Sequence, residues 1–415
     1  ARNALVETVM ESVLAGIKSG AALRHVCAGD RHDRSAANVA LAREGERDDA
    51  DEAAAWAYWH GSGCSSWFHD IKDLTFSSTF CEVYPDEAQV IVDHWEMQQK
   101  NAVQKEEKKG AEGGEASDSE RILLDARSKL ELLAERLAAA IDAETSKSSA
   151  GLAFVKLSTR SPKDSKKVLE RAKQTYQARL SGISEGGGVC SENEKWIVLS
   201  EEVTRAGALS STGEAIDLLL DSNRVYEDLK YALDGPPIVR GPSAGQKEQD
   251  NGAKQPKWNV QLVARAWDSR LKPSSEFRGI FWGGKLTCLC QYFHPLYFPD
   301  MKANKQTVQH DVESIVLRLE VRSAINRLGG NCIIDFAWLA PGEVIIIELN
   351  PFDGNGLGTF PGSTGLFLWD DPSDRLIMTG NAPFEFRIRE EEMESHKFKR
   401  FGRADWRDII YGRKF

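Results

Sequence analysis

The run Asn331–Gly356, NCIIDFAWLAPGEVIIIELNPFDGNG, places acidic residues inside stretches that otherwise read as core strand. Two apolar runs flank Pro341-Gly342, a turn signal, and so predict a hairpin. With those two residues as the loop, Ala340 faces Glu343, and counting back along both strands brings Asp335 opposite Glu348. Asn350 follows two residues later, on the same face by the strand period. Directly opposed side chains have Cβ atoms roughly 4.5–5.5 Å apart, where like charges repel. Two buried carboxylates therefore need a cation or a shared proton. An oxygen-only set of Asp335, Glu348 and Asn350 suits Mg²⁺, which keeps several waters and bridges phosphates. The competing reading is a solvent-facing sheet edge, or carboxylates paired with nearby arginines. Flanking Ile, Phe and Trp fit an exposed face poorly. The register carries one tension: Pro-Gly favours a type II turn, whereas two-residue hairpins usually take type I′ or II′.

A second group is basic. Lys156 lies in the strand-like AFVKLS, and STRSPKD follows, with Ser161 as a candidate N-cap and Pro162 at the first helical position. A helix start there would offer Lys156, Lys163 and backbone N–H groups to a phosphate. A lysine in a strand is otherwise an edge residue whose stem lies along apolar surface. Arg265 in LVARAW and Arg278 in EFRGIF sit inside apolar strands and want an anion, because guanidinium keeps its proton. For Arg278 that anion is either nearby Glu276 or a phosphate.

Other motifs carry less. GNGLG (Gly354–Gly358) imitates a dinucleotide fingerprint, but TFPGSTG follows instead of a helix, so it reads as a loop at the rim of the site. WHGSGCSSW contains His60, Cys64 and serines without an Asp/His constellation to mark a nucleophile. The histidines show no metal-ligand spacing. The closing run SHKFKRFGRADWRDIIYGRKF is basic and reads as a solvated tail or a docking surface.

Several elements must position these groups. ILLDARSKLELLAERLAAAID (Ile122–Asp142) is periodic in leucine and predicts a helix. WNVQLVARAW, SSEFRGIFWGGKLTCLCQYF, NCIIDFAWL and EVIIIELNPF predict strands, with a helix over Asp311–Leu328. Helix and strand mix without βαβ alternation, so the fold class is α+β. Residues 1–60 form an N-terminal extension, an amphipathic helix (Leu5, Val6, Val9, Val13, Leu14, Ile17 on one stripe) followed by an acidic linker. Residues 61–258 make a first lobe with insertions near 101–120 and 241–257. Residues 259–390 make a second lobe with the metal site, and 391–415 a basic tail.

Composition excludes some classes. The chain has 415 residues, 41% hydrophobic, and 53 basic against 63 acidic residues for a net charge of −10. That balance does not suit sequence-independent binding to nucleic acid, so any polyanion must be met by a local basic site. Seven cysteines without a CxxC favour neither a disulfide framework nor zinc. No apolar run approaches the roughly 18 residues that span a membrane. Glu7 and Glu11 argue against a secretory leader, and a cytoplasmic monomer is expected.

Several segments in order resemble the cell division cycle protein 123 family. SSWFHDIKDLTFSSTFCEVYPDEAQVI resembles its amino-terminal signature, and AFVKLSTRSPKDS its lysine-containing segment. LVARAWDSRLKPSSEFRGIFWGGKLTCLCQ resembles the stretch with the family's E-F-R, and CIIDFAW…EVIIIELNPF its aspartate-rich hairpin. STGLFLWDD and PFEFRIRE resemble its closing motifs, so the likeness runs from about Ser65 to Glu390. The resemblance implies a divergent ATP-grasp fold, two lobes with antiparallel sheets clamping ATP and Mg²⁺. It also implies a chaperone that assembles the heterotrimeric translation initiation factor two through its gamma subunit. An ATP-grasp ligase joining a carboxylate to an amine through an acyl-phosphate is the alternative. Carried over, Lys156 contacts the nucleotide, and Thr159, Ser161 and Lys163 lie beside the phosphates. Arg265 and Asp268 fall near the adenine, Glu276 and Arg278 match E-F-R, and Asp335, Glu348 and Asn350 match the magnesium triad. The chain departs from the pattern at Thr159, Ala266, Tyr292 and Glu348, which stand where the family has Trp, Lys, Arg and Asp.

Overall fold

The computed structural model describes Trp56, Trp59 and residues 61–107, 130–235, 258–352, 364–401 and 404–412. The expected N-terminal helix and acidic linker, most of both insertions, and the GNGLG loop lie outside these residues. Two sheets organise the rest. The first contains β1 (Ser78–Glu82), β2 (Ala153–Leu157), β3 (Ala208–Leu209) and β4 (Gln261–Ala266) in the antiparallel order β1-β4-β2-β3. The second contains β5 (Glu276–Trp282), β6 (Lys285–Gln291), β7 (Cys332–Ala340), β8 (Glu343–Pro351) and β9 (Glu385–Arg387) in the order β8-β7-β5-β6-β9. Only the β6–β9 pair is parallel. The class is α+β, as expected. β4 lies beyond the expected lobe boundary at 258 and yet closes the first sheet, so the second lobe begins after it.

Helices cover one face of each sheet. In chain order they are α1 (Cys64–Trp67), α2 (Pro85–Glu107), α3 (Glu131–Thr145), α4 (Lys166–Glu185), α5 (Glu192–Ala206), α6 (Thr212–Leu220) and α7 (Asn223–Asp234). After them come α8 (Pro299–Val316), α9 (Leu319–Arg327), α10 (Pro372–Met378), α11 (Ser395–Phe401) and α12 (Ala404–Tyr411). The helix starts follow capping chemistry: Ser191 and Glu194 make a reciprocal capping box, and Ser211 and Ser222 accept from the third residue of their helices. From Glu131 onward the predicted Ile122–Asp142 helix is α3; residues 122–129 lie outside the described residues. The predicted Asp311–Leu328 helix is two, broken at Leu317-Arg318 where both leucines of the corner, Leu317 and Leu319, are exposed.

Alternation along the strands decides which residues face the core. In the first sheet Val155, Leu157, Leu262 and Ala264 bury against α2, α3 and α7, leaving Phe154, Lys156 and Arg265 on the other face. In the second, Phe277, Phe281, Ile334, Phe336, Ile346 and Leu349 pack with α8 and α9. Their neighbours Arg278, Asp335, Glu348 and Asn350 point the opposite way, alongside Ile280 and Ile333 of a smaller cluster with Phe352 and Phe367. The expected basic tail is not a solvated strand of chain: Phe398 and Ile409 are buried, and Trp406 and Ile410 pack against both lobes.

Candidate functional site

The β7–β8 hairpin carries the acidic pair in the register that the turn predicts. Ala340 opposes Glu343, and Asp335 opposes Glu348. Between those pairs the register slips by one residue at Leu339 and slips back at Ile347, so two compensating bulges separate the turn from the site. Gly342 has φ +81°, as the second central residue of a type II turn requires, and the bulge nearest it lets the strands accommodate that turn. Across the next strand Arg278 of β5 opposes Asp335. One row therefore runs Arg278, Asp335, Glu348 over three strands.

These side chains are bonded to one another. The Arg278 guanidinium makes a bidentate pair with Asp335, Nε to Oδ1 at 2.7 Å and Nη2 to Oδ2 at 2.8 Å, and the two side chains are 4% and 3% exposed. Lys156 Nζ reaches across from the first sheet to Glu348 Oε2 at 2.8 Å. Asn350 Nδ2 donates to Asp335 Oδ2 at 3.3 Å and to Glu348 Oε1 at 3.2 Å, bridging the carboxylates. The open question of Arg278's anion is thus answered by Asp335, not Glu276. Burial acts to lower the arginine's pKa, but the Asp335 carboxylate outweighs it and holds the guanidinium above its ordinary value.

A cavity of about 250 Å³ lies between the sheets. Lys156, Ser161, Lys163, Arg265, Asp268, Glu276, Asp335 and Glu348 line it, with Ala266, Trp267, Leu271 and Ile347 between them. Phe154, Trp196, Phe293, Phe398 and Trp406 also line it, so α5 and the two C-terminal helices contribute directly. Arg278 and Asn350 stand behind Asp335. Thr159 is not brought to the cavity: its hydroxyl bonds Asp228, which also pairs with the buried Arg160 at 2.6 Å. Nor does a helix begin at Ser161. Ser165 is the residue before α4, and the Lys167 N–H at that helix start donates to Asp221 at 3.2 Å, so this terminus is already capped from within.

Two cations at the cavity have no carboxylate ion pair among the described residues. Lys163 Nζ donates to the Tyr292 hydroxyl at 3.1 Å, and Arg278 lies over the same ring at 4.8 Å. Arg265, 4% exposed, spends its guanidinium on neutral acceptors: the Ile347 carbonyl at 2.7 Å, Thr75 Oγ1 at 2.6 Å and Ser78 Oγ at 3.2 Å. Burial pushes its pKa down, against the pull of Cys64 and Glu348. Thr75 in turn donates to the Ile346 carbonyl at 2.6 Å. These contacts tie β4 to the bulge next to Glu348, and nothing in the sequence signals them. Asp268 is held by Arg270 at 2.7 Å, which lowers its pKa. Glu276 makes no such pair; burial pushes its carboxyl up to about 8, Lys163 and Arg278 oppose that, and Asp335 and Glu348 add to it. The backbone on either side of Glu276 fixes it, since its carbonyl accepts from Tyr292 N–H at 2.9 Å.

No group of three or more His, Cys, Asp or Glu side chains disposed to hold a metal occurs among the described residues. What the hairpin offers is two carboxylates and an amide, a donor set that fits a hard cation able to complete its shell with water and phosphate oxygen.

Comparison with known proteins gives two results. A family model described as D123 matches residues 194–404. Among solved structures, Cdc123 from Schizosaccharomyces pombe matches with a TM-score of 0.46 and 17% identity, covering 80% of this chain and 97% of that one. Its C-terminally truncated form matches with a TM-score of 0.46 and 16% identity over 82% and 98%. No curated protein matches.

Proposed function

The chain belongs to the D123 family, and from that premise we propose that its inter-sheet cleft binds ATP with Mg²⁺ in the service of protein assembly. The reaction class is the resemblance's own: an ATP-loaded chaperone for the gamma subunit of translation initiation factor two. One observation carries the nucleotide part of this reading. Three cations, Lys156, Lys163 and Arg265, line a single cavity with Asp335 and Glu348, and the same cavity has a large aromatic and aliphatic lining. A triphosphate matches the first of these and a base the second. Asp335, Glu348 and Asn350 would hold the metal, which bridges phosphates and neutralises their charge. Lys156 and Lys163 would bind phosphate oxygens, and Arg265 would keep the Ile347–Glu348 backbone in place. Ala266–Asp268 and Ile347 offer the strip on which a base would lie.

Isothermal titration of the purified chain with ATP, in Mg²⁺ and in chelator, tests the site. Binding should require Mg²⁺, and Asp335→Ala should reduce affinity in Mg²⁺ to the metal-free level. Equal Mg²⁺ dependence in parent and variant would remove the assignment. For the partner, the gamma subunit should co-purify with the chain, and ATP turnover should be negligible. The ligase reading draws on the aromatic lining of the same cavity as room for a second substrate. Steady ADP release stimulated by a small acid plus an amine would favour it instead.

A further inference from the structure

The acceptors that a metal would use and the cations that a triphosphate would use are bonded to each other. Lys156 and Glu348 both line the cavity and form an ion pair at 2.8 Å. Arg278 occupies both oxygens of Asp335, and the Asn350 amide donates to the remaining lone pairs of the two acids. A divalent cation arriving alone must draw Glu348 off Lys156 and leave that buried lysine without its ion-pair partner. A polyphosphate arriving alone must draw Lys156 off Glu348 and lie beside that carboxylate. Each of these exchanges leaves buried charge uncompensated, which is the costly half of breaking a buried pair. When both arrive together, the metal replaces Lys156 at Glu348 and the phosphates replace Glu348 at Lys156.

Resting on the nucleotide reading above, we propose that the Lys156–Glu348 pair makes this site selective for a metal–polyphosphate complex, excluding free metal and free polyphosphate. Glu348 is then a specificity-determining residue twice over: it recruits the metal, and without the metal it withholds Lys156 from phosphate. The pair acts as an internal competitor whose release requires both components.

The test uses the full chain with two probes, ATP and inorganic tripolyphosphate, each titrated in Mg²⁺ and in chelator, and Mg²⁺ titrated alone. The parent should bind neither Mg²⁺ alone nor metal-free probe at concentrations where the complex saturates it. Glu348→Gln keeps the shape and removes the competitor. It should bind metal-free probe at least about tenfold more tightly than the parent, given what close charge pairs contribute. Removing any negative charge near phosphate would help binding somewhat, so the gain must depend on Lys156. In Lys156→Met/Glu348→Gln it should vanish relative to Lys156→Met. A gain that persists without Lys156, an unchanged metal-free affinity in Glu348→Gln, or tight binding of Mg²⁺ alone by the parent would each overturn the proposal. Tripolyphosphate separates the two levels of failure. If ATP is ignored in every condition while tripolyphosphate follows the predicted pattern, the nucleotide reading fails and the selectivity stands. If ATP binds with Mg²⁺ but Glu348→Gln changes nothing, the nucleotide reading stands and the selectivity fails.

Discussion

Arg265→Met should loosen the junction between the two sheets. The guanidinium donates to the Ile347 carbonyl, Thr75 Oγ1 and Ser78 Oγ at 2.7, 2.6 and 3.2 Å, all from a side chain that is 4% exposed. Hydrogen bonds from a charged donor contribute about 1.5–3 kcal/mol each. Against that stands the several-kcal/mol cost of burying a guanidinium with no carboxylate beside it. Methionine retains the apolar stem and spares that cost, but it leaves the Ile347 carbonyl without its donor inside the protein. The net loss should be on the order of 2–4 kcal/mol. Lysine in its place reaches fewer acceptors and gives up its proton more readily when buried, so Arg265→Lys should fall between the parent and methionine. Urea unfolding followed by tryptophan fluorescence reads this as a lower midpoint at unchanged slope. Since Ile347 immediately precedes Glu348, the Mg²⁺ dependence of ATP binding should fall as well, even well below the unfolding midpoint. A methionine variant within about 0.5 kcal/mol of the parent, or a lysine variant indistinguishable from it, would refute the strut.

Other changes have signed outcomes. Glu276 titrates near 8 in the folded chain against an ordinary 4.5, so the folded state holds a proton that the unfolded state has released. Its contribution is complete below about 4.5 and is lost as pH rises through about 8. Stability of the ligand-free protein should decline over that window by an amount that partial exposure keeps small. Glu276→Gln should flatten the decline and preserve ATP affinity above pH 8; a parallel decline in that variant would disprove the assignment. Gly365→Ala should destabilise by roughly 2–4 kcal/mol, since the backbone sits at φ +66° and an added Cβ would lie 2.5 Å from Cys290 Sγ. Thermal denaturation showing no loss would contradict the packing of that turn against β6.

Asp335 and Glu348 were legible because a strand register has only two phases, and burial of the Ile and Phe neighbours permits one of them. The bulges at Leu339 and Ile347 cancel, so a count from the turn reaches the right pair even though the intervening residues are offset. Lys156 was legible as a cation on an apolar strand. Its partner was not, because Glu348 lies 192 residues away on the other sheet. The same holds for β4, whose pattern announces a strand without saying which sheet it joins. Thr159 shows the limit from the other side: it lies in the loop after β2, but its hydroxyl bonds Asp228 in α7 and it does not line the cavity. Trp406 and Phe398 reach the cavity only because the C-terminal helices fold back over both lobes, which a basic, short run does not signal.

Three acids at one site are made compatible with a folded chain in three different ways. Asp335, the most buried, is matched by a bidentate arginine. Glu348, with its side chain 27% exposed, is matched by a lysine from the opposite sheet. Glu276 has no ion pair and keeps a proton. Each solution scales with the desolvation it must offset: the deepest charge takes the strongest, geometrically fixed partner. Pairing of this kind compensates the two ionised acids without an ion, unlike a site whose ligands repel one another until the ion arrives. On the proposed reading, the site's affinity for a metal–polyphosphate would be set by competition with its own side chains. Substitutions that weaken the internal pairs without removing phosphate-binding cations should therefore lower folding stability and raise affinity for metal-free polyphosphate together. Lys156→Arg, which keeps the charge but alters its reach to Glu348, should move both quantities in those opposite directions if competition governs the site, and lower both if the lysine serves as a simple anchor.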